Sequence, residues 1–230
     1  MGLLDFLKRK PSSDEVLYAL LYADIPLKRW PDFLGSAGDA PPEAHSRRLL
    51  AAAAAAGGDR EGARATLRAL ADAPVVETRA KLLAWRGLRD LGEKPPADVS
   101  RVPRGVVCEV SLPHGLDVLA CYEDRTARLR GAAGSVVLWE ARAPDVDALI
   151  DGVLAQAPAL ADAVGPHGDL GLILPSGMAA LTVLTYAGRH LRPEGLDKLR
   201  SGKSTLSPLF AAATQLFVAL TQRTDRGAQG

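Results

Sequence analysis

The amino-acid sequence predicts an α+β fold: a helical N-terminal region, residues 1–94, followed by a domain built on an antiparallel sheet, with the element order ββββαββα. Three observations predict it. Apolar residues before Lys94 recur at the helical period of about 3.6, whereas those after Pro95-Pro96 alternate at the strand period of about 2. The alternating stretches are separated by short turn sequences, Pro113-His114-Gly115, Asp124-Arg125 and Gly131–Gly134, as in a meander. Beyond Glu140 the helical spacing returns twice, giving helices able to cover one face of a sheet.

Taken in order, Ser12 and Glu15 form a capping box ahead of Val16, Leu17, Leu20 and Leu21. The next stretch, broken by Pro26, Pro31, Gly35 and Pro41-Pro42, reads as a loop with at most one short helical turn. A helix over 43–56 stops at Gly57-Gly58. Asp59 caps a second helix that ends near Ala73, before Pro74. A third, over 75–91, sets Ala80, Leu83, Ala84, Gly87, Leu88 and Leu91 on one stripe and ends at Gly92. Over residues 43–92 these short helices, with small residues at their contacts, resemble a fragment of a tetratricopeptide-type helical array; a simple bundle is the other reading. The double proline marks a boundary. Residues 95–103 read as a linker, 104–224 as the α+β domain and 225–230 as a disordered tail.

In the meander, a three-residue loop at 113–115 pairs Leu112 with Leu116, Val110 with Val118 and Cys108 with Ala120. A two-residue turn at 124–125 then pairs Tyr122 with Ala127 and Ala120 with Leu129, and the last turn pairs Leu129 with Val136 and Ala127 with Leu138. This register sends Cys108 inward and Cys121 outward. An amphipathic helix follows through Val146, Leu149, Ile150, Val153 and Leu154. Two strands near 169–174 and 178–186 are joined by Pro175-Ser176-Gly177, a short helix covers 193–200, and a final helix starts at Ser207 with Pro208 in its first turn. The element order is similar to that of the secretion-chaperone fold, with one strand more.

Composition narrows the classes of function. The 230 residues, 47% hydrophobic and 24% charged, are enough for a buried core. A net charge of +1, from 28 basic and 27 acidic residues, supplies no basic face for nucleic acid. No apolar run approaches the ~20 residues of a membrane span. The N-terminus places Lys8, Arg9 and Lys10 after a short apolar patch, the reverse of a secretory signal. Weak membrane-surface contact through Leu3, Leu4, Phe6 and Leu7 is one reading of that patch, and packing on its own domain is the other. Two cysteines are too few for a disulfide scaffold, which points to a reducing cytoplasm. The Arg, Ala, Gly and Pro excess points to a GC-rich bacterial genome.

No chemical motif is complete. Gly202-Lys203-Ser204 matches the end of a phosphate-binding loop, but Asp197 stands where that loop requires Gly, and a helix precedes it where a strand is needed. His45, His114, His167 and His190 show no metal-ligand spacing, and there is no CxxC or GxSxG. Cys121, placed opposite Arg128, is a weak candidate for a reactive thiol. No catalytic, cofactor-binding or metal-binding residue is therefore assigned. The least ordinary feature is the far side of the meander, where the register places Val107, Leu119, Cys121, Arg128, Arg130, Val137 and Trp139. That mixture suits an interface. It is otherwise a face covered by the N-terminal helices, or a small-ligand site. The expectation is a non-enzymatic interaction protein, adaptor or chaperone-like, of a bacterial cytoplasm. Its partner would be another protein or a second copy, with Trp139 as anchor and Arg128 and Arg130 binding carboxylate or phosphate. The alternative is a ligand sensor or enzyme with a pocket between helices and sheet.

Overall fold

Small side chains let the first helices approach closely. In the computed structural model, which describes residues 21–30, 32, 42–167 and 173–227, α1 (Pro42–Ala56), α2 (Arg60–Asp72) and α3 (Thr78–Asp90) pack in succession. The Ser12–Glu15 capping box, the apolar-basic N-terminus, residues 228–230 and most of the strand expected over 169–174 lie outside the described residues. The chain divides into two compact units, Met1–Lys94 and Pro95–Gly230.

In the first unit, the Asp59 carboxylate accepts the Gly62 N–H at 2.8 Å and caps α2. Leu67 and Leu70 of α2 and Leu83 and Leu88 of α3 are buried. Gly87 admits Leu67: a Cβ there would lie 2.9 Å from a Leu67 methyl. Residues 25–30, the described start of the stretch expected as loop, are tightly held. Their 3₁₀ turn, Leu27–Arg29, leads into Trp30, which is buried and donates its indole N–H to the Ile25 carbonyl at 2.8 Å. The Leu27 N–H donates to Asp90 at 2.7 Å, and Arg86 donates to buried Asp24 at 2.9 Å.

The second unit is an α+β domain. After a short helix, α4 (Ala97–Ser100), come β1 (Gly105–Leu112), β2 (Gly115–Tyr122), β3 (Ala127–Arg130) and β4 (Val136–Trp139). Helices α5 (Pro144–Gln156) and α6 (Pro158–Ala163) precede β5 (Met178–Thr185) and β6 (Gly188–Gly195), and α7 (Leu196–Arg200) and α8 (Ser207–Gly227) complete it. The six strands form one antiparallel sheet in the order β4-β3-β2-β1-β5-β6. One face packs against the helices. Val106, Cys108, Leu119, Cys121, Leu129, Leu181 and Val183 share a core with Val146 and Ile150 of α5 and Leu209, Ala213 and Leu216 of α8.

Two details correct the sequence reading. The β1–β2 turn has two residues, Pro113 and His114, so Leu112 pairs with Gly115 and Cys108 with Leu119. Cys108 and Cys121 therefore share the helix-covered face, against the expectation that Cys121 points outward. The reason is that β1 is buried on both sides: Val107 and Glu109 are as inaccessible as Val106 and Cys108. Alternation cannot fix a register when neither face is polar. The second correction concerns the last two strands. Pro175-Ser176-Gly177 precedes the first of them, and the hairpin turn is Tyr186-Ala187, so β6 occupies residues expected in part as helix. Its charges and Pro193 disguise it; an edge strand tolerates a proline that a central strand does not.

Candidate functional site

The three residues singled out from sequence lie on the β3–β4 hairpin at one end of the sheet. Its turn is closed by Gly131 N–H donating to the Ser135 carbonyl at 2.8 Å, with Gly134 at φ 89. Asp117 of β2 accepts the Ala132 N–H at 2.7 Å and holds the turn against the sheet.

Arg128 points away from the helix-covered core and is only 5% exposed. Its Nη1 donates to the Ala127 and Trp139 carbonyls at 3.0 and 3.3 Å, and its Nη2 donates to Glu140 at 2.7 Å. This guanidinium therefore fastens the end of β4 to β3. Arg130 lies on the same face, opposite Val136, and is half-buried.

Trp139 sits on the opposite face from the two arginines, contrary to the expected register. Its partner across the ladder is Ala127, and its ring packs against the helix-side core with the Arg223 guanidinium 5.5 Å from the ring centre. Its indole nitrogen is buried and has no hydrogen-bond partner among the described residues. Arg223 also pairs with Asp145, and that pairing holds the Asp145 carboxyl below the usual carboxylate range. The expected pairing of Leu129 with Val136 is corrected to Leu129 with Val137. Val136 and Leu138, expected inside, are instead 58% and 57% exposed.

These two side chains were missed because the register that buries leucine was preferred to the one that buries the larger indole. Weighing the bigger apolar area of Trp139 would have found them. Their main chain is also notable. Gly131 and Ser135 form a hydrogen-bonded pair, so in an antiparallel ladder Leu129–Val137 and Ala127–Trp139 do too. The N–H and C=O groups of Val136 and Leu138 then point away from β3, and no strand lies beyond β4 among the described residues. The other edge differs: β6 forms a bridge between Arg189 and His167.

The remaining sequence candidates have structural roles. Gly202, at φ 73, closes α7: its N–H donates to the Leu199 carbonyl, and Lys203 N–H donates to Lys198. Ser204 is buried and donates to Glu194 at 3.0 Å. Both cysteine thiols are unbonded, and burial pushes each pKa up to about 12. Among the described residues no three His, Cys, Asp or Glu side chains converge as metal ligands, and no helix is long and apolar enough to cross a membrane.

A cavity of about 200 Å³ opens between α8 and strands β1 and β2. A second, wetter cleft of about 550 Å³ lies in the first unit between Leu27, Ala55, Arg60, Arg86 and Asp90. Compared with family models, with curated proteins and with solved structures, the chain matches none.

Proposed function

We propose that this chain is a non-enzymatic protein-interaction module, an adaptor or chaperone-like protein of a bacterial cytoplasm, that takes up an extended segment of a partner protein along β4. The observation that carries this reading is the coincidence of two features on one short strand. Val136 and Leu138 expose their side chains, and the same residues aim their main-chain donors and acceptors outward. A peptide added as a seventh strand would satisfy both. Arg128 and Arg130 lie on β3, one strand in from the added one, and Arg128, engaged with the Trp139 carbonyl and Glu140, supports β4 from behind. Trp139 anchors β4 from the helix side.

A four-residue strand with two exposed apolar side chains offers far less than the ~1,200 Å² total of a stable dimer interface. The reading is therefore transient capture of a peptide, rather than a constitutive homodimer. In the same reading the helical first unit, tetratricopeptide-like or a simple bundle, is a second surface for protein contact. Peptide display against the full chain tests the proposal. Enriched peptides should bind wild type and lose binding in Val136→Lys and Leu138→Lys, both with unchanged circular dichroism. Peptides that bind both variants as well as wild type would refute β4 as the docking strand, and a concentration-dependent dimer abolished by the same variants would replace the peptide with a second copy.

A further inference from the structure

The cavity on the helix-covered side of the sheet has a composition of its own. Val110, Leu112 and Leu119 form its floor, and Phe210, Ala213 and Phe217 of α8 form its wall. Three polar side chains also line it. The Thr214 hydroxyl donates to the Phe210 carbonyl at 2.8 Å, within its own helix. Asp117 already accepts the Ala132 N–H at 2.7 Å. Arg200, at the end of α7, is exposed and has no hydrogen-bond or ion-pair partner among the described residues. Cys108 adds a thiol that burial keeps protonated, so it serves as an apolar part of the lining.

An apolar chamber with one unengaged cation is matched by an apolar body bearing one anion. A chamber of roughly 150 Å³ accepts a benzene molecule, and this one, at about 200 Å³ and open on one side, is somewhat larger. We propose that it binds a small monoanionic amphiphile, a carboxylate with an apolar body of about six to eight carbons, whose head is received by the Arg200 guanidinium and whose tail lies between Phe210, Phe217 and Leu119. Guanidinium suits a carboxylate because its planar fork meets both oxygens. Asp117 disfavours a second negative charge on the ligand. The site lies on the face of the sheet opposite Val136 and Leu138 and does not rest on strand addition at β4.

Octanoate is the probe, with octanol as its uncharged counterpart, titrated into the full chain with methyl-labelled Val and Leu. Saturable shifts centred on Val110, Leu112 and Leu119 are expected with octanoate, and weaker ones with octanol. Arg200→Gln should weaken octanoate binding about tenfold and leave octanol unchanged. Ala213→Phe fills the chamber and should abolish both; Leu112→Trp, at a half-buried position, does the same if Ala213→Phe fails to fold. Octanoate shifts that never saturate, that fall on other residues, or that survive in a folded filling variant would overturn the proposal. So would an Arg200→Gln variant that binds octanoate as tightly as wild type.

Discussion

A nearly buried guanidinium whose Nη atoms are engaged by two carbonyls and a carboxylate ties strands together, whatever else it contacts. Arg128→Glu would place a carboxylate beside Glu140 in that setting and leave the Trp139 carbonyl without its donor. Because Glu140 is 62% exposed, the loss falls below that of a fully buried pair, about 2 kcal/mol, read as a lower denaturation midpoint. Arg128→Met should cost less, because it adds no charge. The two thiols are equally diagnostic. With both buried and both pKa values near 12, neither should react with a disulfide reagent in the folded chain, and both should react in denaturant; rapid labelling of Cys121 in the native state would contradict the register.

His190 supplies the pH dependence. Its Nδ1 lies 2.7 Å from the Val164 carbonyl, which can only accept, so Nδ1 carries a proton; Nε2 lies 3.2 Å from the Thr185 hydroxyl, which itself donates to the Gly188 carbonyl at 3.0 Å. Burial holds the ring's pKa below the usual histidine value; the Val164 carbonyl opposes this, Arg101 adds to it and Asp162 subtracts. The unfolded chain therefore binds a proton that the folded chain resists. The stabilisation is complete above the ordinary value of about 6.5, and is lost as pH falls from there toward the lower folded value. Thermal unfolding should occur at a lower temperature at about pH 5.5 than at about pH 7.5, and His190→Gln should shrink the difference.

Among the elements, the β1–β2 hairpin is fixed by its last glycine. Gly115 has φ 148, and a Cβ there would sit 3.0 Å from the Ala132 Cβ and 3.1 Å from its carbonyl. Gly115→Ala should lower stability by about 1–3 kcal/mol. Gly134→Ala, at φ 89 with open space around it, should lose only the left-handed penalty of about 1 kcal/mol. Denaturation of both variants checks the difference. This junction is also where sequence reasoning failed. Helix α2 was legible because Asp59 and the glycines before it have a local meaning; the turn sequences near 113–115 and 131–134 marked where the meander reverses for the same reason, but not the length of the first turn. The register was not. Val106–Glu109 is buried on both sides, so a two-residue and a three-residue turn left equally apolar faces. Strand β6 was hidden in another way: its partner β5 supplies the pairing, and its own residues, Arg189, Arg192, Pro193 and Glu194, look like loop.

For the whole molecule, the α+β class was readable because the apolar period changes at the double proline and again beyond Glu140, and a change of period needs no tertiary information. The candidate site was readable only by residue. Arg128, Arg130 and Trp139 lie on the hairpin proposed to bind, but the exposed pair on its edge, Val136 and Leu138, follows only from Trp139 turning inward. A binding edge carries no motif, since its chemistry is the main chain's own and side-chain spacing records only which face is wet. Amide hydrogen exchange along β4 tests the account most directly. The account predicts that Val136 and Leu138 amides exchange fast in the free protein while Val137 and Leu129 are protected, and that a bound peptide slows the first pair. Slow exchange at Val136 and Leu138 without any peptide would contradict it, because their hydrogen bonds would already be made.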